Sequence, residues 1–556
     1  MTDIRRSILW VVFGFSMVML WDNWQLYNGK EPTFFAAPKP AVTAPTNASA
    51  SAPVAGASAQ GLPGASVAPA AASERTTVQS DVLSLTFDSQ GASLVGAVLK
   101  QHATQLGGAK GQFKPLQLLQ TTPESTYVAQ SGLTGVGGVN HTTMFQRQPG
   151  PTALAEGQNQ LQVRYISVPQ NGVVLETVYT IKRGSYVIDV QHVVRNQGTQ
   201  PVSPQVYEQL VRDDTPAESE TPFYQTFTGP AVYTEEKKFQ KIHFEDLAKK
   251  QAEFQTQSTS GYVAMVQHYF ASAWLLPQGL SRTNYARPIG GKLYAVGTLT
   301  DLPVVAPGAE QTLNSRLFVG PQDEKNLERI APGLELVKDY GWVTILAKPL
   351  YWLLEKIHAL VGNWGWSIVL LVVVIKAAFY WLNAKAYRSM AKMKALSPRI
   401  TEMRERLKEQ PQQMQQEMMR IYREEKVNPL GGCLPIMVQI PVFIALYWVL
   451  LSSVEMRNAP WLGWIHDLSS KDPWFILPVI MTATTLFQTA LSPLPPDPLQ
   501  AKLMWFMPLA FSVMFFFFPA GLVLYWITNN SLTIAQQYVI NRSMGVKVTF
   551  NLPKLR

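Results

Sequence analysis

The chain has 556 residues, of which 47% are hydrophobic and only 15% charged, with a net charge of +9. That length exceeds what one hydrophobic core organises, so two or more domains are expected. The charged fraction sits far below the roughly 25% of ordinary soluble proteins and hides a split, polar over residues 75–335 and apolar over 342–541. This excludes a uniformly soluble chain and reads the basic balance as positive loops beside a membrane, not as nucleic-acid binding. A single cysteine, Cys433, excludes a disulfide framework and reads as a small apolar residue at a helix end.

Arg5 and Arg6 precede an apolar run over 8–20, with Trp10, Trp21 and Trp24 on or near its edges. Trp21-Asp22-Asn23-Trp24 is a poor cleavage site, so residues 1–27 are expected to be an uncleaved signal anchor with a cytoplasmic N-terminus. Residues 28–74 follow, and within them 36–73 are almost all Ala, Pro, Ser, Gly and Val, a linker that cannot bury enough side chain to fold. From about residue 75 the pattern has period two. Leu83, Leu85 and Phe87 alternate with Ser84 and Thr86, and Tyr186, Ile188, Val190 and Val194 lie opposite Asp189, Gln191 and Arg195. Such alternation argues half-buried antiparallel strands, and Asn171-Gly172 between two strand-like runs signals a hairpin because both residues tolerate positive φ. A large β-sandwich over 75–335 is expected, on the far side of the membrane from Arg5 and Arg6.

Residues 342–361 are amphipathic. Ile345, Leu346, Leu350, Leu353, Leu354, Ile357 and Leu360 recur at helical spacing, with Lys348, Glu355 and Lys356 off that stripe. A helix lying in the membrane interface fits better than a span. A five-span core over 362–541 follows, with spans at 364–382, 434–454, 474–491, 503–518 and 522–540, each near the ~20 residues that cross hydrocarbon. With the anchor, the fold class is a six-span α-helical membrane protein carrying a β-sandwich. Residues 384–430 hold eleven Lys or Arg against six Glu, and the tail 542–556 carries Arg542, Lys547, Lys554 and Arg556. Both are expected in the cytoplasm by the positive-inside rule. Met390, Met393, Leu396, Ile400, Met403 and Leu407, then Met414, Met418, Ile421 and Tyr422, keep helical spacing on either side of Gln410-Pro411. A Met-rich helical hairpin results, packed mainly helix on helix and offering a soft docking surface.

No phosphate-binding Gly loop, metal-spaced Cys/His cluster, His-Glu-x-x-His or Gly-x-Ser-x-Gly is present in the sequence, so no enzyme, cofactor or metal is expected. The informative residue is Lys376, set among Val372, Val373, Val374, Ile375, Ala377 and Ala378. A charge at mid-bilayer costs roughly 2.5–3.5 kcal/mol on insertion scales. Snorkelling would relieve that cost, and so would a wet cavity. Gln439, Thr484, Thr485, Gln488 and Asn530 interrupt apolar runs at similar depth. Singly each reads as helix–helix glue, but with Lys376 they suggest a polar recess open to the cytoplasm. No Asp or Glu lies in any of the five spans, which argues against an ion-coupled transporter and leaves Lys376 poised for an acid on another chain. Of two rivals, a solute transporter using Lys376 as an anion site predicts an internal repeat between span halves, which the sequence does not show, and an anchored binding module leaves the hairpin, the tail and Lys376 without purpose.

The runs Glu424-Glu425-Lys426-Val427-Asn428-Pro429-Leu430-Gly431-Gly432-Cys433-Leu434-Pro435, Gln439-Ile440-Pro441-Val442-Phe443, Trp464-Ile465-His466-Asp467-Leu468, Phe518-Pro519-Ala520-Gly521-Leu522-Val523-Leu524-Tyr525 and Ser389-Met390-Ala391-Lys392-Met393 resemble those of the YidC family. The resemblance is close over about 340–545 and looser over the β-domain. It implies an insertase and chaperone of the bacterial inner membrane that works on nascent membrane proteins, alone or with the Sec translocon. It further implies a hydrophilic groove closed to the far side, with a positive residue that receives the polar tail of a substrate. Lys376 falls at that position, where many members have Arg, so the charge is kept and the forked geometry lost. Gln488 and Trp526 fall at groove-lining positions with Tyr525 beside them, and Gln439 joins them by its depth. The family's β-domain resembles sugar-mutarotase sandwiches without acting on sugars. The ribosome is an expected partner through the basic tail and loops, and no specific nucleic acid is expected.

Overall fold

The computed structural model describes residues 73–103, 114–135, 138–216, 226–407, 410–425, 434–492, 498–543 and 550. The expected anchor, the linker up to residue 72, most of the basic tail, and residues 426–433 with Cys433 lie outside the described residues.

Period-two alternation becomes, among the described residues, two stacked antiparallel sheets of nine strands each. Thr126–Thr134, Gln205–Asp213 and Leu293–Asp301 lie centrally in the first, and Val173–Lys182, Val187–Asn196 and Glu310–Pro321 in the second. Registers run unbroken from Gln205↔Asp301 to Asp213↔Leu293 and from Glu310↔Arg195 to Phe318↔Val187. The alternation sets the faces: Leu83, Leu85, Phe87, Ile188, Val190 and Val194 are buried between the sheets, while Gln191 is exposed. Full burial of each such side chain stabilises by about 1.5–3 kcal/mol. Asn171 and Gly172 hold φ of 48° and 78°, and Gln170 and Val173 exchange both backbone hydrogen bonds, the expected two-residue hairpin. A Cβ at Gly172 would stand 2.7 Å from Gly198 Cα, so the turn requires glycine twice over. A short helix, α1 (Phe244–Ala248), links two strands. A second, α2 (Glu324–Ile330), and a 3-10 turn at Leu334–Val337 then cover part of the second sheet's outer face through Leu327, Leu334 and Val337.

After a 3-10 turn at Gly341–Val343 come, among the described residues, eight helices: α3 (Thr344–Val361), α4 (Trp364–Ala378), α5 (Tyr380–Arg406), α6 (Pro411–Glu424), α7 (Leu434–Ser452), α8 (Ile476–Leu491), α9 (Pro498–Met514) and α10 (Ala520–Ser543). The amphipathic α3 buries Ala347, Tyr351, Leu354 and Ile357 and exposes Ile345, Trp352 and Leu360. Gly362 ends it at φ 71°, and Asn363 Oδ1 accepts from Trp366 N to start α4. The apolar stretch 364–382 is not one helix: it turns by 62° between α4 and Tyr380–Ala386, at Phe379, whose ψ of 8° leaves the helical range. Among the described residues no single helix is long and apolar enough to cross a membrane, while this bent pair is, by length and composition. The expected hairpin forms from α5 and α6. Ile400, Met403 and Ile421 pack with Leu396, Leu407, Met414 and Met418, and Arg399 reaches Glu424 and Glu425 at 3.3 and 3.1 Å.

The two parts meet beyond the end of α7. Val454 inserts into the sandwich core, and Met456 into the helical core. His268 Nε2 donates to Leu451 O at 2.8 Å, and burial pushes that imidazole down to about 4, so it donates as the neutral ring. Arg457 donates to Ala103 O at 2.6 Å and lies over the Tyr269 and Phe270 rings.

Trp274, fully buried, fills the gap between the sheets and donates Nε1–H to Gln209 O at 3.1 Å. Trp274→Ala is expected to lower domain stability by about 3–5 kcal/mol, seen as a large drop in the denaturant midpoint of the purified chain. A loss under about 1 kcal/mol would show that the core collapses around the cavity.

Candidate functional site

The site is organised by α10. Asn529, Thr533 and Gln536 recur at i, i+4 and i+7 and so share one face, while Asn530 and Gln537 share another. The first face meets three segments at once. Lys376 Nζ on α4 donates to Thr533 Oγ1 at 2.9 Å, Gln439 Nε2 on α7 donates to Asn529 Oδ1 at 2.9 Å, and Asn383 Nδ2 on α5 donates to Gln536 Oε1 at 3.4 Å. Thr533 Oγ1 spends its own proton on Asn529 O at 2.7 Å, which leaves its lone pairs for the ammonium.

Between these contacts lies a narrow recess of about 430 Å³, counting its open mouth. Lys376, Asn383, Gln439 and Asn529 give it polar atoms, and Val372, Ile375, Phe379, Leu382, Val442 and Tyr525 give it apolar walls. Lys376 is half-buried, and no described carboxylate pairs with it. Gln536 Nε2 is buried without a partner among the described residues, an unspent donor on the same face. The other end of the bundle is tied shut. Ala520 N donates to Ser470 O at 2.7 Å and Gly521 N to Leu468 O at 2.9 Å, and Phe515, Phe518, Leu522 and Val523 are buried behind them. Asp472 braces that loop, accepting from Trp464 Nε1, Trp474 N and Leu477 N.

The five site residues read from the sequence divide. Lys376, Gln439 and Tyr525 come together in the recess. Trp526 points elsewhere, packing on Phe443 and Phe515 with ring centroids 4.8 and 5.0 Å away. Gln488 is half-buried on α8 and does not line the recess. Nor do Thr484, Thr485 and Asn530 join Lys376. Asn530 Nδ2 donates to Thr485 Oγ1 at 2.8 Å, and Gln537 Nε2 to Leu491 O at 3.1 Å, so the second face of α10 clamps α8. Sequence reasoning missed Asn383, Asn529, Thr533 and Gln536, although the 4- and 7-residue spacing in α10 was there to be read.

In the sandwich, Ser315 Oγ donates to Glu208, and His192 Nε2 lies 3.2 Å from Glu208 Oε1. This trio resembles a hydrolytic array, but all three residues are at most 4% exposed.

Two family models match the chain: the YidC periplasmic domain over residues 75–353 and the 60Kd inner membrane protein over 356–547. Among curated proteins, the membrane protein insertase YidC of Cupriavidus necator is 53% identical over 561 residues, covering 98% of each chain. That of Ralstonia nicotianae is 52% identical over 552 residues, again covering 98% of each. A crystal structure of an active YidC insertase with its first transmembrane domain resolved is 18% identical at a TM-score of 0.37, covering 84% of this chain and 92% of that one.

If the two faces of α10 have separate tasks, Asn530→Leu loosens only the α8 clamp. The expected loss is about 0.6–1.7 kcal/mol for interhelical hydrogen bonds, measured as a shift in the detergent-unfolding midpoint of the purified chain. An unchanged midpoint would count against the clamp.

Proposed function

The chain belongs to the YidC family, and from that membership we infer that it is a membrane protein insertase, not an enzyme, which delivers nascent membrane proteins into the bacterial inner membrane with its β-sandwich on the periplasmic side. We propose further that α4 with the start of α5, α7, α8, α9 and α10 each contribute a crossing, five in all, and that the anchor over 1–27 adds a sixth. The eleven Lys or Arg against six Glu in 384–430 support a cytoplasmic hairpin, and six crossings return the tail to the cytoplasm. In this reading the recess opens to the cytoplasm, and the tied loops at 459–472 and around Pro519 close it on the periplasmic side.

The observation that carries the mechanism is Lys376, half-buried and bonded to one neutral hydroxyl. Holding that ammonium at depth costs roughly 2.5–3.5 kcal/mol, and a hydrogen bond to a charged group returns about 1.5–3. The two contributions nearly balance. The site gains when an acidic or carbonyl-rich segment supplies further acceptors, which is what the polar flank of a nascent membrane protein carries. Gln439, Asn383 and the spare Gln536 donor extend the same chemistry along the recess. The substrate's apolar segment would then leave sideways along exposed apolar faces such as Phe506, Phe511 and Val513 of α9. Ribosome and Sec translocon are proposed partners at the basic hairpin and tail.

Charge is the requirement, so Lys376→Arg is expected to keep insertion within about twofold. Lys376→Glu is expected to cut it about tenfold or more for substrates with acidic tails, since the local charge inverts. Protease protection of a single-span substrate made in cells depleted of the native protein reads this directly, and full activity of the Glu variant would sink the charge argument. A second test locates the path. A photoreactive residue at Gln439 or Asn383 is expected to crosslink a ribosome-stalled nascent chain, while one at exposed Val304 in the β-domain does not. Crosslinks at Gln488 and Trp526 with none at Gln439 would move the path out of the recess described here.

A further inference from the structure

Lys338 is an unusual residue for its place. Its side chain is 0% exposed, and it follows the turn by which the chain leaves the β-domain. Nζ lies 3.5 Å from Glu455 Oε2, 3.9 Å from the Tyr351 ring centroid and 5.6 Å from that of Tyr340. Tyr351 OH donates to Glu455 Oε1 at 2.6 Å, so one carboxylate is held by a cation from the β-domain exit and a phenol from α3. Around this centre, Tyr340 OH donates to Glu324 Oε2 at 2.7 Å, Lys348 Nζ lies 3.5 Å from Glu324 Oε1, and Lys325 pairs with Glu355.

Glu455 occupies the 3-10 turn Val454–Met456 directly beyond α7. Its two neighbours belong to different cores, Val454 to the sandwich and Met456 to the helices. The carboxylate thus stands at the pivot between them. From there α7 runs back about 20 Å, at 1.5 Å per residue, to Gln439, which is bonded to Asn529 beside Lys376.

A buried ion pair adds little net stability over apolar residues of the same shape, but removing one partner strands a charge, and its best-attested use is to specify register. We propose that Lys338 is a positioning residue for insertion: with Tyr351 it holds Glu455, fixes the outer end of α7, and so sets the spacing of α7 and α10 at the recess. The β-domain then acts on insertion through this latch, without touching substrate. The proposal rests on the recess reading above, and its test separates the two.

The full-length chain carries Cys433→Ser, with spin labels at Ile440→Cys on α7 and Tyr538→Cys on α10, two half-exposed positions outside the recess lining. In nanodiscs the distance between the labels is expected to be narrow for Lys338 and broadened for Lys338→Met. In the double variant Lys338→Met/Glu455→Gln, which leaves no stranded charge, it narrows again. Insertion by unlabelled chains, read by protease protection, is expected to fall about tenfold in Lys338→Met and to recover to within about twofold in the double variant, a coupling of the size seen for interacting pairs. Recovery by the double variant, with the β-domain's melting unchanged throughout, separates positioning from a loss of folding. A distance distribution unchanged in Lys338→Met overturns the proposal, whatever happens to insertion. A broadened distribution with insertion intact keeps the latch and overturns the recess as the route of substrate.

Discussion

An ammonium surrounded by aliphatic helix faces has to be solvated by something, and the helical half of this protein is arranged around that requirement at Lys376. Its own helix offers only Val, Ile and Ala nearby, and no carboxylate occurs in the surrounding apolar segments. The answer is α10, which turns the Asn529–Thr533–Gln536 face towards α4, α5 and α7. Because three helices bring a polar atom to the same face, none can be moved without exposing an unsatisfied group. The hydroxyl and the amides are neutral, so they solvate the charge without cancelling it. A glutamate in their place would satisfy Lys376 and, on the proposed route, leave nothing to recruit an acidic flank.

A lysine at the other end of α7 is solvated differently. Lys338 is more deeply buried than Lys376, yet it has a carboxylate at 3.5 Å and a tyrosine face at 3.9 Å. One lysine is internally paired, the other bonded only to a neutral group. That contrast separates the proposed joint from the proposed reception site better than burial does, since burial alone would rank Lys338 first. Polar side chains on α10 divide in the same way: Asn530 and Gln537 reach α8 and are spent there, whereas Gln536 keeps a donor in reserve.

Much of this was legible in the residues. Period-two alternation placed Leu83, Leu85, Phe87, Ile188 and Val190 inside a sandwich, and Asn171-Gly172 marked its hairpin, because a strand's two faces follow directly from chain order. The Met-rich hairpin was legible for the same reason at helical period. What the sequence did not disclose is which helix faces which. Lys376, Asn530 and Thr485 all interrupt apolar runs at similar depth. Only the rotation of α10 decides that Thr533 meets Lys376 while Asn530, three positions earlier and about 60° round the helix, meets α8. The turn at Phe379 was equally hidden, since neither proline nor glycine stands there. Nor could Lys338 be singled out, for a lysine after a domain's last strand ordinarily reads as solvated.

The energetics of insertion then explain why so little machinery is needed on the proposed route. A ~20-residue apolar span gains about 0.3–0.6 kcal/mol per central Leu, Ile, Phe or Val on entering lipid, so the process is downhill without fuel. What opposes it is the transit of a polar flank, each charged residue of which costs roughly 2.5–3.5 kcal/mol at mid-bilayer. A recess that supplies one cation and several amide donors lowers that barrier without altering the end states. It need not hold the flank tightly: a guanidinium fork in place of Lys376 would add bidentate geometry, while the charge that attracts the flank stays the same. Lysine, with a point charge on a flexible stem, attracts an acidic segment with less geometric demand.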